Sequence, residues 1–148
     1  MISVRVQQAD FDPAAELALL ESLGIGAVAS FTGLVRGDDD LIAMTLEHYP
    51  AMTEAALRTI ADDAAGRWPL AGIIVIHRHG RLVPGDRIVF VATASSHRAA
   101  ALESCAFLID WLKTDAPFWK REEWTDGSAR WVEAREADDA AKARWRPD

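Results

Sequence analysis

The rarity of lysine in this chain makes each lysine a candidate for chemistry. The 148 residues include thirteen arginines and three lysines, which are Lys113, Lys120 and Lys142. A lysine carries a compact amine that can take up or release a proton, whereas an arginine stays charged in proteins. Lys113 and Lys120, seven residues apart, are therefore candidates for amine chemistry. A compositional bias with chance placement explains the same pattern equally well.

Each of these two lysines also has a simpler interpretation. Lys113 lies near the end of a predicted helix, where a cation complements the negative end of the helix dipole. Lys120 follows Trp119 and could be a cation packed on an aromatic ring. Pro117 lies between the two lysines and should end the helix. If the two amines converge, they therefore do so from different elements and not from one helix.

The strongest local feature is the junction of a predicted strand and a predicted helix at residues 94–98 (ASSHR). Free backbone N–H groups at the start of a helix attract anions, and His97 and Arg98 would add donors that suit a phosphate. The same segment also fits an N-cap formed by Ser95 or Ser96, followed by exposed polar residues. Without further observations, this N-cap interpretation is favoured.

Four further polar residues are weaker candidates. Arg36 follows a predicted strand, where it could clamp a ligand or balance the acidic loop 37–40 (GDDD). For Arg135, the sequence likewise does not distinguish a ligand-binding role from an ordinary surface charge. His77 and His79 alternate at the end of a predicted strand, so they should share a face. For these histidines a structural or partner-surface role is favoured over a catalytic one.

Composition narrows the class of protein. The formal net charge of −7 argues against a broad basic surface for nucleic acid. The single cysteine, Cys105, excludes an internal disulfide, and no spacing of His and Cys resembles a zinc site, so no metal is predicted. Cys105 lies on an apolar helix stripe and is interpreted as a buried hydrophobe, not a nucleophile. Without a signal-peptide pattern or a membrane-spanning apolar run, we expect a cytoplasmic protein.

These candidates need a scaffold, and the hydrophobic pattern predicts one α+β domain over residues 1–148. The predicted order is strand, helix, two strands, helix, two strands and a long helix, followed by a mixed C-terminal segment. Residues 27–35 and 41–49 resemble a hairpin. Residues 133–146 resemble a solvated helix, so 136–148 are expected to form a charged tail.

The predicted helices cover residues 13–23, 53–68 and 97–114, and the predicted strands cover 2–7, 27–35, 41–49, 72–77 and 87–94. Asp12 should cap the first helix, with Pro13 at its first position. A turn at 83–86 should join the last two strands. The inward stripe of the long helix is predicted to consist of Leu102, Cys105, Ala106, Ile109 and Leu112.

Together the motifs resemble one family, the catalytic subunits of molybdopterin synthases. The resemblance covers nearly the whole chain, and the order and spacing of the motifs are specific, although each is short. The motifs are 26–27 (GA), 31–36 (FTGLVR), 46–52 (LEHYPAM), 76–80 (IHRHG), 84–86 (PGD), 96–98 (SHR), 110–113 (DWLK), 117–122 (PFWKRE) and 131–135 (WVEAR).

The resemblance implies an α/β-hammerhead-like α+β fold, with an antiparallel-rich sheet and packed helices, in a dimer of large subunits. Each large subunit would bind a small ubiquitin-like sulfur-carrier subunit, completing a heterotetramer. The carrier's C-terminal Gly-Gly tail would be a thiocarboxylate, and the substrate would be cyclic pyranopterin monophosphate. Two sulfur transfers would produce the dithiolene of molybdopterin, and no metal or dissociable cofactor is implied.

By position, Lys113 and Lys120 match the active-site lysines of the family. We expect Lys113 to stabilise the thiocarboxylate addition or transfer a proton and Lys120 to orient the carrier tail and substrate, while the resemblance itself does not decide between the two lysines. The residues that match the family's anion pocket are Arg36, His97, Arg98 and Arg135, of which His97 and Arg98 would come from the opposite subunit. Fixed cations lower the repulsion between an anionic phosphate and an anionic thiocarboxylate.

Two other classes of protein would fit the same residues. A non-catalytic binding module would grip a phosphorylated ligand or a partner's tail without releasing sulfur. A different acyl- or phosphoryl-transfer enzyme would turn over without any carrier.

Overall fold

The computed structural model describes residues 1–37, 40–132 and 136–146, and for 136–139 it describes the backbone only. Within these residues the elements are β1 (Ile2–Gln7), α1 (Pro13–Glu21), β2 (Ala27–Leu34), β3 (Leu41–His48), α2 (Pro50–Arg67), β4 (Gly72–Arg78), β5 (Gly80–Leu82), β6 (Arg87–Ser95), α3 (Arg98–Thr114), β7 (Phe118–Trp124), β8 (Ala129–Val132) and α4 (Glu136–Ala143).

The strands form two sheets. The first has the order β1-β4-β6-β2, in which β1 and β4 are parallel and the other neighbours are antiparallel. The second has the order β5-β3-β7-β8 and is antiparallel throughout. This arrangement confirms the α+β class with antiparallel-rich sheets and packed helices.

The predicted hairpin of residues 27–35 and 41–49 is wrong, because β2 and β3 belong to different sheets. β2 pairs with β6, and Val35 stays attached to the turn that precedes β6. The Val35 N–H donates to the carbonyl oxygen of Asp86, and the Gly85 N–H donates to that of Val35, each at 2.9 Å. The chain therefore leaves the first sheet only after Val35.

The second sheet has its own small core. Met44 and Leu46 of β3 pack with Leu82 of β5 and with Val35. These partners are distant in sequence, so the alternation of β3 alone cannot reveal which strand it joins. The three pairings that replace the predicted hairpin, β2 with β6 and β3 with β5 and β7, are all long-range.

The first sheet is buried on both faces, as β4 shows. Side chains alternate along a strand, so Ile73 and Val75 face the cluster that includes α2 and α3, while Ile74 and Ile76 face the cluster that includes α1. A strand covered on both faces is apolar throughout. Full burial of each such side chain stabilises the fold by about 1.5–3 kcal/mol.

Helices α1 and α2 follow the sequence closely. The Asp12 carboxylate accepts a hydrogen bond from the backbone N–H of Ala14 at 3.0 Å, and Pro13 occupies the first turn, as predicted. α1 ends at Glu21, two residues early, and α2 begins at Pro50, three residues before the predicted start. Among the described residues, none of the helices is long and apolar enough to cross a membrane.

Helix α3 begins at Arg98 with His97 as its N-cap residue, so the predicted serine N-cap is wrong. Ser95 contributes differently. Its hydroxyl oxygen accepts a hydrogen bond from the His97 N–H at 3.1 Å, and its hydroxyl donates to the carbonyl oxygen of Pro69 at 2.8 Å. The start of α3 is therefore tied to the connection between α2 and β4.

The inward stripe of α3 is rotated from the predicted one. Leu102 is 63% exposed, whereas Ala101 and Leu108 are buried, and Cys105 and Leu112 face inward as predicted. Buried residues at 101, 105, 108 and 112 follow the spacing of one helical face. The prediction for Leu102 is wrong because an apolar residue type alone does not show which side of the helix packs against the sheet.

Strands β5, β7 and β8 are absent from the sequence prediction. β7 matters most, because it carries Lys120. After Pro117 the chain turns back and pairs antiparallel with β3, which places Phe118 opposite His48 and Lys120 opposite Leu46. The charged sequence of β7 lacks an apolar alternation, so its strand state depends on this pairing.

The C-terminal segment adds an aromatic residue to the main core. Trp145 packs edge-on against Trp68 and Phe107, and its carbonyl oxygen accepts a hydrogen bond from Arg67 at 2.7 Å. A segment that the sequence pattern describes as charged and solvated is thus attached to the helices α2 and α3.

Candidate active site

Lys113 and Lys120 reach the same region of the molecule from two different elements. Lys113 lies in the last turn of α3, and Lys120 lies in β7, beyond Pro117. The charge of each lysine lowers the pKa of His77, near the end of β4, which indicates that both amines lie near this imidazole. The two lysines thus converge without sharing a helix.

His77 is a buried, neutral imidazole, only 7% exposed. Its ring stacks on Phe118 with 3.8 Å between centroids and 17° between planes. Its Nδ1 lies 2.8 Å from the carbonyl oxygen of Arg78, which can only accept, so Nδ1 carries the proton and Nε2 keeps its lone pair. Burial above all, and the positive charges of the two lysines and of His48, lower the pKa of His77 to about 4, although the bond to Arg78 opposes this shift.

Phe118 also contacts a second imidazole, that of His48. The His48 ring lies 5.6 Å from Phe118 and 4.4 Å from the His79 ring. The Thr53 hydroxyl donates to the carbonyl oxygen of Tyr49 at 2.9 Å, so its oxygen accepts from His48 Nδ1 at 3.3 Å. Partial burial, then His79, lowers the pKa of His48. Two imidazoles therefore contact Phe118 at the start of the strand that carries the second lysine, and a third, that of His79, contacts His48.

Side chains alternate along β7, so Lys120 and Trp119 lie on opposite faces of the second sheet. Lys120 shares its face with Phe118. Trp119 contacts Tyr49 edge-on, with 5.0 Å between ring centroids, beside a cavity of about 300 Å³. The cavity is lined by Glu47, His48, Tyr49, Trp119 and Trp131. This geometry does not favour the simpler interpretation of Lys120 as a cation packed on its neighbour Trp119.

Arg36 extends from the end of the first sheet that holds His77. It is exposed and follows β2 by two residues. Leu34 pairs with Arg87 at the start of β6, and His77 pairs with Val89, two residues further along the same strand. Arg36 and the imidazole beside the two lysines are thus at the same end of this sheet.

His97 and Arg98 lie at the opposite end of α3. Arg98 is its first residue, and Lys113 follows fifteen residues later in its last turn. At 1.5 Å per residue, the two backbone positions are about 22 Å apart. His97 and Arg98 are exposed, and one copy of the chain does not bring them to the lysines. Arg135 lies outside the described residues.

Cys105 is a buried thiol in the core, as predicted. It is 7% exposed, and its sulfur lies 3.9 Å from the carbonyl oxygen of Val91. Burial raises its pKa to about 11, which keeps it protonated at neutral pH and makes it a poor nucleophile. Among the residues that the structure describes, no group of three or more His, Cys, Asp or Glu side chains could hold a metal ion.

Sequence reasoning missed the contact between His77 and Phe118. The sequence interpretation gives His77 a structural role but does not connect it with the lysines. The alternation of Phe118 and Lys120 is the one available signal, because in a strand these two residues share a face. That signal is lost while residues 118–124 are not recognised as a strand.

The chain matches a known family of proteins. The model of the MoaE protein family matches residues 6–115, which include Lys113, whereas Lys120 lies beyond the matched range. Since the match spans well over half of the chain, the chain belongs to the MoaE protein family.

Close relatives carry one name. The molybdopterin synthase catalytic subunit of Mesorhizobium japonicum is 53% identical over 148 residues, covering 97% of this chain and 93% of the relative. The solved molybdopterin biosynthesis MoaE protein from Burkholderia ambifaria has a TM-score of 0.84 and 54% identity, and the match covers 98% of both chains. A molybdopterin synthase structure from Staphylococcus aureus has a TM-score of 0.79 and 28% identity, covering 86% of this chain and 95% of that one. These similarities confirm the predicted family resemblance: the chain is an enzyme of molybdopterin biosynthesis.

Proposed function

We propose that the chain is the catalytic subunit of a molybdopterin synthase that acts on cyclic pyranopterin monophosphate. Two sulfur atoms are transferred in turn from the thiocarboxylated Gly-Gly tail of a small ubiquitin-like carrier subunit, forming the dithiolene. Each transfer breaks the acyl C–S bond of the tail, replaces a C–O bond of the pterin with a C–S bond and returns the tail as a carboxylate with an oxygen from water, while the displaced pterin oxygen stays on the phosphate or leaves as water. The word subunit in the relatives' name supports such an assembly.

The convergence of Lys113 and Lys120 carries the proposal. The phosphate of the substrate and the thiocarboxylate of the carrier are both anions, and fixed cations lower their mutual repulsion where water is partly excluded. His77 is neutral, so the lysines supply the charge, while the stack of His77 on Phe118 supports the strand that holds Lys120. We assign Lys113 to the addition or to proton transfer, and Lys120 to orienting the tail and substrate.

The other cations of the pocket are proposed to come from two copies of the chain. Arg36 binds the substrate anion beside the lysines of its own copy, whereas His97 and Arg98 bind it beside the lysines of a second copy. The separation of about 22 Å along α3 supports this division, because it keeps Arg98 away from Lys113 of the same chain. Association is also supported by the position of β2 at the edge of the first sheet, as far as the chain is described, where Leu34 is 53% exposed. Two such chains and two carriers form the proposed heterotetramer.

Three parts of the proposal rest on the sequence and its family resemblance. Arg135 is assigned to the anion pocket, residues 1–148 are assigned to one domain, and the enzyme is assigned to the cytoplasm. No metal or dissociable cofactor takes part in the proposed reaction.

Reconstitution tests this function. Purified chain, thiocarboxylated carrier and cyclic pyranopterin monophosphate should yield molybdopterin, and mass spectrometry should show the carrier tail converted to a carboxylate. Lys113→Ala should lower kcat about 10²- to 10³-fold. Lys120→Ala should raise KM for the carrier as well. Arg121→Ala, on the opposite face of β7, is the matched control and should keep the wild-type rate.

Each competing class predicts a different outcome. Ligand binding without loss of sulfur from the carrier would indicate a binding module. Turnover without any carrier would indicate a different transferase. Full activity of a folded Lys113→Ala protein would contradict the role given to that amine.

A further inference from the structure

Two carboxylates flank Lys113 at the end of α3. Asp110 precedes it by three residues, and Asp115 follows it by two. Residues three apart are neighbours on a helix surface, so an aspartate at this spacing is an ordinary ion-pair partner for a lysine. Lys113 nevertheless makes no ion pair with any residue in the described part of the chain.

Both carboxylates are instead paired with cations from the C-terminal segment. Arg144 Nη2 lies 2.8 Å from Asp110 Oδ2, and Lys142 Nζ lies 2.6 Å from Asp115 Oδ2. The indole N–H of Trp145 donates to the same oxygen of Asp110 at 2.6 Å. The side chain of Asp110 is only 16% exposed, and two donors hold it, one of them charged.

Residues 142–145, the C-terminal clamp, are held in place by packing. The Trp145 ring meets Trp68 and Phe107 edge-on, with centroids 5.8 Å and 5.7 Å away, and Arg67 of α2 donates to the Trp145 carbonyl. Exposed ion pairs alone order side chains weakly. The aromatic anchor therefore fixes the two cations of the clamp beside the end of α3.

We propose that the C-terminal clamp keeps the amine of Lys113 available to the substrates by occupying the carboxylates of Asp110 and Asp115. The inference rests on the proposed function, in which this amine acts on the thiocarboxylate. Two titratable groups in the described part of the chain are linked to this amine electrostatically: His77 of β4 feels the charge of Lys113 and is neutral, and Lys120 of β7 acts on the same imidazole and is a cation, so neither competes for the carboxylates' place. Without the clamp, a freed carboxylate would pair with Lys113, neutralise its field and turn it away from the anionic substrates.

Charge-removing variants of the clamp test this proposal in the reconstituted reaction. The double variant Lys142→Gln with Arg144→Gln should lower kcat roughly three- to tenfold at pH 7, with KM unchanged. Lys142→Arg with Arg144→Lys keeps both charges and should keep the wild-type profile. Arg146→Gln makes the same kind of charge change just beyond the clamp and should behave as wild type.

Removing the carboxylates shows whether the clamp acts by neutralising their charge or by supporting the structure. Asp110→Asn and Asp115→Asn, added to the double variant, should restore the wild-type kcat, because no carboxylate is left to capture the amine. A quadruple variant that folds but remains as slow as the double variant would overturn the proposal, since the clamp would then act through structure alone.

Lysine NMR provides a readout that does not need activity. Once Lys142 is replaced, only Lys113 and Lys120 remain, so isotope-labelled lysine gives two side-chain signals. In the double variant the Lys113 signal should change position when Asp110 and Asp115 are also replaced, because the amine then loses its carboxylate partner. The same Lys113 signal in the double and quadruple variants would refute the clamp. If wild-type protein transfers no sulfur, the proposed function fails, while this comparison still decides whether the clamp shields Lys113.

Discussion

Arg98 and Lys113 allow a direct test of a site shared between two copies of the chain. Arg98→Ala removes a cation at the first residue of α3, and Lys113→Ala removes one in its last turn. Each variant alone should be nearly inactive in the reconstituted reaction. Both side chains are exposed, so each change should alter the free energy of unfolding by less than about 0.5 kcal/mol.

The magnitude follows from the geometry of α3. Extended lysine and arginine side chains together reach roughly 13 Å, which is less than the separation of about 22 Å, so the two cannot contact one phosphate within a chain. In a mixed dimer of the two variants, one composite site keeps both cations and the other loses both. Random exchange makes half of all dimers mixed, so the mixture should recover about a quarter of wild-type activity.

The assay combines the two variants in equal amounts under conditions that let the copies exchange. Different affinity tags on the two variants allow the mixed dimer to be purified, and it should have about half of wild-type activity. Each variant carried through the same exchange by itself is the control and should remain inactive.

One result would refute the shared site. A mixed dimer whose composition is verified by mass spectrometry, but which recovers no activity, would show that Arg98 and Lys113 do not meet across two copies. Full activity of a verified monomer would do the same.

Two further predictions concern buried groups. His77 has a pKa of about 4 in the folded chain against an ordinary 6.5, so between these values the unfolded chain binds a proton that the folded chain does not, and the free energy of unfolding rises with pH. Lowering the pH from 7 to 4.5 should therefore cost wild type roughly 2–3 kcal/mol more than it costs His77→Phe in urea unfolding, with exposed His97→Asn as control; equal losses would contradict the buried neutral imidazole. Cys105→Ala should keep the wild-type kcat and lose only about 1 kcal/mol of stability, and a large loss of kcat in the folded variant would restore the thiol as a nucleophile.

Much of the fold could be predicted because it is encoded locally. β1 has the predicted bounds, Asp12 caps α1, and the turn at 83–86 closes with a hydrogen bond from the Asp86 N–H to the Val83 carbonyl oxygen at 2.9 Å. In each case the relevant contact lies within a few residues, so side-chain type and backbone preference decide it.

The errors have a different origin. The predicted hairpin failed because β2 and β3 each satisfy their backbone hydrogen bonds with strands that are distant in sequence. Leu102 was placed inward because residue type does not state which side of a helix the sheet covers. β7 went unrecognised because its charged residues become a strand only beside β3.

The sequence by itself determined the family, the scarcity of lysine and the candidate residues Lys113 and Lys120, because motifs and composition need no coordinates. Only the tertiary structure decided that these lysines converge beside His77, and that Arg98 lies at the far end of the same helix. It also decided that Trp145 anchors cations against the carboxylates next to Lys113. These relations join residues far apart in sequence, so they arise from strand pairing and helix packing, which no local pattern specifies.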